Sequence, residues 1–282
     1  MEQRSSLEPS YLLVTGMPRA GTSLTARLID QLDDAVCLSE PARYYEWSRI
    51  CRASAEFAAR CLTDLHDIRR SLLEGEPVWD LREADGTVPT NYFDASGRPR
   101  RLVRARVTYT HGVGTTLLVA AKHNEPLTAT LPELIRLPDV GIVAVVRHPL
   151  STILSWMTCQ IQLAQGRLSD GYTHWPEALA AQRESRSVAE LHVRIYELYC
   201  QRYRAHASNI TIVRYEDLVT SPSMLETITG RTLTGDACVD TRHDRVALRL
   251  ARCDRAYADE LKRMMTRHFQ CAADLYPAFA DW

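Results

Sequence analysis

The sequence predicts an α/β fold with a central parallel sheet of about five strands flanked by helices. Apolar segments alternate with helical segments along the chain, which favours right-handed crossovers between parallel strands. Residues 140–149 (VGIVAVVRHP) are apolar almost throughout until Arg147, as is typical of a strand buried on both faces. The first apolar segment leads through a glycine-bearing turn into a helix, which is the arrangement of a phosphate-binding loop.

Composition places the chain among ordinary globular proteins. Its 282 residues are 45% hydrophobic and 24% charged, and 34 basic and 35 acidic residues give a net charge of -1. This length suits one domain, which we predict to span 1–282 with an irregular and helical excursion at about 42–114. The balanced charge disfavours nucleic acid or a membrane surface as a partner.

Cysteines and the N-terminus indicate the compartment. The eight cysteines are scattered and form no C-x-x-C pair, so we expect reduced thiols and no zinc site. No apolar run reaches membrane-spanning length, and the first ten residues lack the apolar centre of a secretion signal. We therefore expect a cytoplasmic protein.

The first elements are marked by short patterns. The apolar run YLLVTG (11–16) predicts the first strand, and LTARLIDQL, with helical spacing, predicts a helix over 22–32. DAVCLSEP (34–41) predicts a short second strand that ends at Glu40.

The middle of the chain is less regular. Residues 42–74 contain many alanines and arginines and few breakers, which predicts helix. Residues 75–114 contain EGEP, ADGTVPTN and ASGRPRR, so we expect an excursion from the sheet there. TTLLVAAKH (115–123) predicts the third strand.

Predicted strands and helices alternate clearly in the C-terminal half of the chain. After the fourth strand at 140–149, a helix is predicted to begin near Leu150. Ser187 and Glu190 form a capping box at the start of another helix. ITIVRYEDL (210–218) predicts the fifth strand. A last amphipathic helix is indicated by six spaced residues, Val246, Leu250, Cys253, Tyr257, Leu261 and Met265.

The loop TGMPRAGTS departs from the usual nucleotide-binding pattern. Gly16 and Gly21 stand at the glycine positions of G-x-x-x-x-G-K-[ST], but Thr22 replaces the lysine and the only cation is Arg19. A magnesium nucleotide also needs a carboxylate at a strand end, whereas the best apolar strand ends in Arg147. We therefore expect a nucleotide held by arginines at its anionic groups, without a metal.

The other strand ends carry further reactive groups. Because the carboxyl ends of parallel strands meet at one edge, residues after each strand should surround a single crevice. These residues are Glu40, Lys122, His123, Arg147, His148, Arg214, Tyr215, Glu216 and Asp217.

Four segments together resemble the sulfotransferases that use 3′-phosphoadenosine 5′-phosphosulfate (PAPS). GMPRAGTS resembles their 5′-phosphosulfate loop, and VVRHPLSTILSW resembles their 3′-phosphate motif, an arginine (Arg147) followed eight residues later by a serine (Ser155). VRYEDLV resembles a recurring strand-end segment near the nucleotide. CLSEP resembles the acidic segment of the tyrosylprotein and carbohydrate branches, with Glu40 placed 21 residues after Arg19.

The resemblance implies roles for individual residues. Arg19 and Lys122 would stabilise charge on the leaving group. Glu40 would be the general base, and His123 is the alternative, since the cytosolic branch uses a histidine within K-x-H. Adjacent strand residues point to opposite faces, which favours Glu40 if Lys122 faces the site. The implied donor-binding residues are Arg19, Ala20, Gly21, Thr22, Ser23, Arg147, Ser155 and Tyr215.

The function implied is metal-independent, in-line transfer of a sulfuryl group to a hydroxyl or amine of a small-molecule or natural-product acceptor, with 3′-phosphoadenosine 5′-phosphate as product. Two alternatives stay open, an ATP- and magnesium-dependent phosphotransferase and a non-catalytic nucleotide-binding relative. The acceptor, the oligomeric state and the residues within 220–245 that cover the nucleotide are undetermined. The basic cluster at 98–106 is either a solvated face or a contact for an acidic acceptor.

Overall fold

The computed structural model of the chain describes residues 9–94, 96–108, 116–234 and 254–277. In chain order, the strands are Tyr11–Gly16 (β1), Ala35–Ser39 (β2), Val78–Arg82 (β3), Val103–Val107 (β4), Leu118–Lys122 (β5), Val140–Val146 (β6) and Thr211–Arg214 (β7). Five of them form a parallel sheet in the order β2-β5-β1-β6-β7. The predicted five-stranded parallel α/β sheet is therefore confirmed.

Helices cover the sheet and continue the alternation. They are Thr22–Ile29 (α1), Ala42–Ile50 (α2), Ser54–Leu73 (α3), Glu125–Ala129 (α4), Leu131–Leu134 (α5), Pro149–Thr158 (α6), Pro176–Glu184 (α7), Val188–Ala205 (α8), Tyr215–Thr220 (α9), Met224–Thr229 (α10), Arg255–His268 (α11) and Cys271–Leu275 (α12). Two 3₁₀ turns, Gln162–Gln165 and Asp170–Tyr172, lie between α6 and α7.

The register of the sheet brings the strand ends together. All residues of β1 and β5 are buried, which explains their unbroken apolar or small composition. Val14 is level with Lys122 of β5, and Gly16 is level with Val145 of β6. On the other side of β5, Ser39 is level with Lys122. The loops that follow β1, β2, β5 and β6 therefore leave the same edge of the sheet.

Two predicted helical segments differ in detail. Residues 42–74 form two helices, because the chain is extended at Cys51 and Ala53 between α2 and α3. Ser187 caps α8 as predicted, its Oγ accepting from the Glu190 amide at 3.1 Å, while the Glu190 carboxylate accepts from the Arg186 amide at 2.9 Å.

The amphipathic helix predicted near the C-terminus falls only partly within the described residues. α11 presents Leu261 and Met265 to the core, as its predicted apolar spacing requires. Val246, Leu250 and Cys253, which the same prediction included, lie outside the described residues.

The segment after α3 has more regular structure than the sequence indicates. β3 and β4 form a two-stranded antiparallel sheet in which Asp80 is level with Ala105 and Arg82 with Val103. Charged residues occupy the buried face of β3, so the alternation of VWDLR does not show the usual apolar inner face. Because of these buried charged residues, the sequence pattern did not predict the hairpin.

An ion-pair network attaches β3 to the main sheet. Arg82 is buried, with Nη1 2.6 Å from Asp30 Oδ2 and Nε 2.7 Å from Asp80 Oδ2. Asp80 Oδ1 accepts from the Ser39 amide of β2 at 2.9 Å, and Arg82 Nη2 donates to the Cys37 carbonyl at 3.0 Å. Since a buried charge is stable only when paired and hydrogen-bonded, this network fixes the hairpin beside β2.

The described cysteines are free thiols, buried except for the partly exposed Cys271, while Cys238 and Cys253 lie outside the described residues. Among the helices of the described part, none has the length and apolar character needed to cross a bilayer.

Candidate active site

A cavity of about 730 Å³ opens at the carboxyl edge of the sheet. Its wall combines the loop after β1, the ends of β2, β5 and β6, and residues 90–93, 99, 100 and 102 of the excursion. Of the residues predicted for the site, those that line it are Arg19, Gly21, Thr22, Ser23, Glu40, Lys122, Arg147 and Tyr215. Ala20, His123 and Ser155 do not line it, nor do four strand-end residues that were expected around the same crevice, His148, Arg214, Glu216 and Asp217.

The loop after β1 is shaped by its backbone. Gly21 caps α1 with φ of 102°, and a Cβ there would lie 2.3 Å from Tyr215 Cδ2, so only glycine fits under the tyrosine ring. The first amides of a helix have no acceptor within the helix, and those of α1 begin beside Ser23 at the cavity wall. Ala20 is fully buried and its amide donates to the Met17 carbonyl at 3.0 Å.

Arg19 joins the loop to two other parts of the chain. Its Nε donates to Ser155 Oγ of α6 at 3.2 Å, and its Nη1 donates to Asn91 Oδ1 at 2.7 Å. The guanidinium carbon lies 5.0 Å from the centroid of the Phe93 ring. Burial lowers the pKa of Arg19, although the group stays charged at neutral pH. The two predicted motifs therefore meet through Arg19 and Ser155.

Thr22 and Ser23 have different surroundings. Thr22 is buried and its Oγ1 donates to Asn124 Oδ1 at 2.8 Å, while Ser23 is partly exposed at the cavity. The main-chain carbonyl of Asn124 accepts from Thr15 Oγ1 at 2.9 Å. The sequence pattern did not single out Asn124, although its place two residues after Lys122 at a strand end was a usable signal.

Glu40 and Lys122 form an ion pair across the ends of β2 and β5. Glu40 has φ of 54°, and its amide donates to the Lys122 carbonyl at 2.8 Å. Lys122 is 1% exposed, its Nζ 4.9 Å from the centroid of the Tyr92 ring, whereas the Glu40 side chain is 28% exposed. Burial acts to raise the pKa of Glu40, but Lys122, His123 and Arg19 hold it below its usual value. Glu40 is therefore an ionised carboxylate facing the cavity.

His123 is directed away from the cavity, as strand alternation requires. Its ring is buried, 6.1 Å from the Tyr44 ring and 4.6 Å from the Tyr45 ring. Neither ring nitrogen has a hydrogen-bond partner among the described residues. Burial lowers the pKa of His123 to about 4.

Arg147 and Tyr215 form the wall beside the loop. Arg147 is 6% exposed, and its guanidinium carbon lies 4.3 Å from the centroid of the Tyr215 ring. Its main-chain carbonyl accepts from Tyr196 Oη at 2.6 Å. The amide of the next residue, His148, donates to Glu216 Oε1 at 2.9 Å. Arg147 is thus fixed by its neighbours on both sides, which is the arrangement expected of an arginine that binds an anion.

The excursion supplies site residues that carried no sequence signal. Asn91 and Phe93 contact Arg19, and Tyr92 Oη lies 2.5 Å from Ser39 Oγ. They lie in a segment of turns, and their contacts depend on how the hairpin folds back over the sheet.

A second cavity, of about 480 Å³, adjoins the first. Pro18, Tyr45, Glu125 and Ile161 line both. Tyr45 Oη donates to Glu125 Oε2 at 3.2 Å. Burial raises the pKa of Glu125, and Glu40 raises it further.

The chain is similar to several solved structures at low sequence identity. Solved structures that are similar to the chain include a sulfotransferase from Alicyclobacillus acidocaldarius (13% identity, 95% of each chain covered, TM-score 0.43). The sulfotransferase domain of a Synechococcus olefin synthase has 15% identity over 99% of this chain and 98% of that one, with a TM-score of 0.40. A sulfotransferase from Mycobacterium avium has 14% identity over 96% and 78%, with a TM-score of 0.42.

A comparison with curated proteins gives no match. The model of the sulfotransferase family matches residues 10–228, a span that begins just before β1 and ends within α10. This match extends over far more than half of the sequence and includes every residue that lines the first cavity. The chain belongs to the sulfotransferase family.

Proposed function

We propose that the chain transfers a sulfuryl group from PAPS to a hydroxyl or amine of a small-molecule acceptor, with Glu40 as the general base. The observation that carries this proposal is the Glu40–Lys122 ion pair, which lies on the same cavity as Arg19 and the start of α1. A carboxylate and several cations on one cavity suit a reaction that takes a proton from an acceptor and stabilises an anionic leaving group.

The donor set of the cavity fits an anionic nucleotide. The amides at the start of α1 and the Ser23 hydroxyl offer hydrogen bonds, and Arg19, Lys122 and Arg147 offer positive charge. Gly21 lets the loop pass directly beneath the Tyr215 ring, which lines the same cavity. A volume of about 730 Å³ is within the range of small-molecule sites.

The residues on the cavity wall have separate roles in the proposed reaction. Bound PAPS supplies a sulfuryl group and a phosphate leaving group. Glu40 accepts the proton of the acceptor at a carboxylate oxygen, while a bond forms between the acceptor atom and sulfur and the bond from sulfur to the bridging oxygen breaks. Arg19 and Lys122 stabilise the charge left on that oxygen. Arg147 binds a second anionic group at the other wall.

Two observations favour Glu40 over His123 as the base. Glu40 lines the cavity as an ionised carboxylate, whereas His123 is buried behind it among tyrosine rings. A base must come within hydrogen-bond reach of the proton that it abstracts, and only Glu40 faces the space in which an acceptor can bind.

The first test is calorimetric titration of the metal-free protein with 3′-phosphoadenosine 5′-phosphate, beside ATP with magnesium. We expect tight binding of the bisphosphate that is weakened by at least about a hundredfold in Arg147→Ala, since a buried bidentate contact is lost. Arg136→Ala, which removes an exposed arginine paired with Glu133, is the matched control. Preference for ATP with magnesium, or indifference to Arg147→Ala, would contradict the proposal and favour a phosphotransferase.

Transfer itself needs a second test. A panel of hydroxyl and amine acceptors is incubated with PAPS, and sulfated products are detected by mass spectrometry. Retained nucleotide binding with no product on any acceptor, and with no effect of Glu40→Gln, would favour a non-catalytic relative.

A further inference from the structure

Glu216 does not line the first cavity, yet its carboxylate connects two parts of the cavity wall. Its Oε1 accepts from the His148 amide at 2.9 Å, which ties the start of α6 to the first turn of α9. His148 directly follows Arg147 in the sequence. Glu216 directly follows Tyr215, whose ring centroid lies 4.3 Å from the Arg147 guanidinium carbon. This hydrogen bond therefore helps to fix the Arg147 side chain against the Tyr215 ring.

Tyr276 bonds the second oxygen of the same carboxylate. Its Oη donates to Glu216 Oε2 at 3.0 Å, and Tyr276 is only 4% exposed. Burial and the Glu216 carboxylate raise the pKa of Tyr276, so the hydroxyl keeps its proton and donates it. The centroid of the Tyr276 ring lies 5.7 Å from that of His148 and 4.7 Å from the guanidinium carbon of Arg214. With both oxygens bonded, the Glu216 carboxylate is held in one orientation.

Tyr276 belongs to the C-terminal segment, beyond residue 228 at which the family match ends. It directly follows α12, and the buried carboxylate of Glu197 on α8 accepts from the first two amides of that helix, at 2.7 and 3.0 Å. The adjacent residue of α8, Tyr196, donates to the Arg147 carbonyl at 2.6 Å. The helix α8 therefore supports Arg147 directly, and through α12 it also supports Tyr276.

We propose that Glu216 and Tyr276 are positioning residues, which hold Arg147 in the orientation that binds the 3′-phosphate of the donor. This inference rests on the proposed function, in which Arg147 binds an anionic group of the nucleotide. Neither positioning residue lines the cavity, so each acts through Arg147. An arginine already held in its binding conformation loses less side-chain entropy when the anion binds, and its affinity for the anion is higher.

Charge and position predict opposite effects of removing Glu216. Its carboxylate is negative and is bonded to the residue after Arg147, so its charge alone repels an anion bound by Arg147. If charge were its only influence, Glu216→Ala would bind the 3′-phosphate more tightly. If Glu216 positions Arg147, the same substitution weakens that contact.

The test measures, by calorimetry on the full chain, the dissociation constants of 3′-phosphoadenosine 5′-phosphate and of adenosine 5′-phosphate. The two ligands differ only in the 3′-phosphate, so the ratio of their dissociation constants reports the contact with Arg147 and not the general integrity of the site. We expect the wild type to bind the bisphosphate about a hundredfold more tightly or better. Glu216→Ala should lower this ratio by about tenfold or more, and Tyr276→Phe, which leaves the charge unchanged, by about threefold.

Two further variants serve as controls. Glu216→Gln keeps the size of the side chain and an oxygen for the His148 amide, so it should restore most of the ratio lost in Glu216→Ala. Tyr257→Phe is the matched control for Tyr276→Phe, because it also removes a hydrogen-bonded hydroxyl from the C-terminal segment, where Tyr257 Oη lies 2.8 Å from His192 Nδ1. Neither Tyr257 nor His192 lines the cavity, so the ratio should stay at its wild-type value.

The outcomes separate this inference from the proposed function. An unchanged or higher ratio in Glu216→Ala or in Tyr276→Phe would overturn the role of that residue, and an equal loss of affinity for both ligands counts as an unchanged ratio. Tyr276→Phe alone decides the matter if Glu216→Ala does not fold. Equal wild-type affinities for the two ligands would overturn the inference as well, since Arg147 would then hold no 3′-phosphate. Failure of the wild type to bind either ligand would overturn the proposed function and this inference with it.

Discussion

Two residues of the candidate site are held in a backbone conformation that their side chains disfavour. Arg19 and Glu40 have φ of 68° and 54°. The other non-glycine residues with positive φ in the described chain are Asp34 and Asp139, a residue type that tolerates this region in turns. For Arg19 and Glu40 the cost is on the order of 1–3 kcal/mol each, and such strain persists where surrounding contacts determine the conformation. Here it directs a cation and a carboxylate toward one cavity.

Replacing the carboxylate of Glu40 tests its chemical role. Glu40→Gln keeps the shape of the side chain but cannot accept a proton, so we expect the rate of sulfuryl transfer to fall by about 10²–10⁴. Binding of 3′-phosphoadenosine 5′-phosphate should be retained. Initial rates and calorimetry measure the two effects, and Glu46→Gln, on the exposed side of α2, is the control. Unchanged turnover in Glu40→Gln would exclude this residue as the base.

Substitution of Gly21 tests whether the loop after β1 binds the nucleotide. In Gly21→Ala the new Cβ would lie 2.3 Å from the Tyr215 ring, so the ring or the loop must move. Gly86 has a similar positive φ of 83° with no atom within 4 Å of an added Cβ, so Gly86→Ala reproduces the backbone strain without the clash. Each should lose roughly 1 kcal/mol of unfolding free energy from strain. Only Gly21→Ala should also weaken bisphosphate binding, by about tenfold or more. Equal affinities in the two variants would argue against a nucleotide at this loop.

At the scale of elements, the hairpin is the part of the site that depends most on tertiary contacts. β3 is attached to β2 and α1 through Arg82, Asp80 and Asp30 rather than through an apolar face. The segment after β3 then places Asn91 and Tyr92 against Arg19 and Lys122. A substitution in the Arg82–Asp80–Asp30 network should therefore alter how Asn91 and Tyr92 are positioned at the cavity.

Arg82→Met tests this attachment. It removes one partner of a buried ion-pair network and leaves the carboxylate of Asp80 uncompensated, which should cost about 3–5 kcal/mol of unfolding free energy. Urea denaturation measures this, and Arg101→Met, an exposed arginine of the same excursion, should cost less than about 0.5 kcal/mol. A loss in Arg82→Met as small as that in the control would mean that the hairpin is held by other contacts.

The sequence predicted the strands and the residues at their ends better than it predicted the contacts of individual side chains. The five parallel strands follow from apolar runs, and the edge that they share follows from parallel topology, which is why Glu40, Lys122 and Arg147 could be assigned to one crevice. The hairpin could not be predicted, because the inner face of β3 carries Asp80 and Arg82 instead of apolar residues. The contacts of Asn91 arise from a fold-back that leaves no periodic pattern.

Across the whole molecule, two buried histidines link stability to pH. His123 and His192 each have a pKa lowered to about 4, chiefly by burial. His192 is held between the Leu163 carbonyl, 2.7 Å from Nε2, and Tyr257 Oη, 2.8 Å from Nδ1. Both rings are therefore neutral in the folded protein, whereas unfolded histidines have a pKa of about 6.5.

The sign of the pH dependence follows from proton binding. Between about pH 6.5 and 4, the unfolded chain binds more protons at these histidines than the native chain, so the free energy of unfolding should decrease as the pH falls through this window. The full effect is roughly 3 kcal/mol for each histidine. Urea denaturation at several pH values should show a shallower decrease in His192→Gln than in the wild type. Equal slopes in the wild type and in His192→Gln would contradict the assignment.

The position of the excursion in the sheet has a consequence for how specificity can diverge. The chain leaves the sheet at the end of β2 and re-enters at β5, the immediate neighbour of β2, so residues 42–117 form one continuous insert between adjacent strands. This insert contains Asn91, Tyr92 and the β3–β4 hairpin, whereas the loop after β1 and Arg147 lie outside it. Under the proposed function, insertions, deletions or exchange of this one stretch should thus create a chimaera with a new acceptor preference, while the register of the sheet and the proposed nucleotide side are retained.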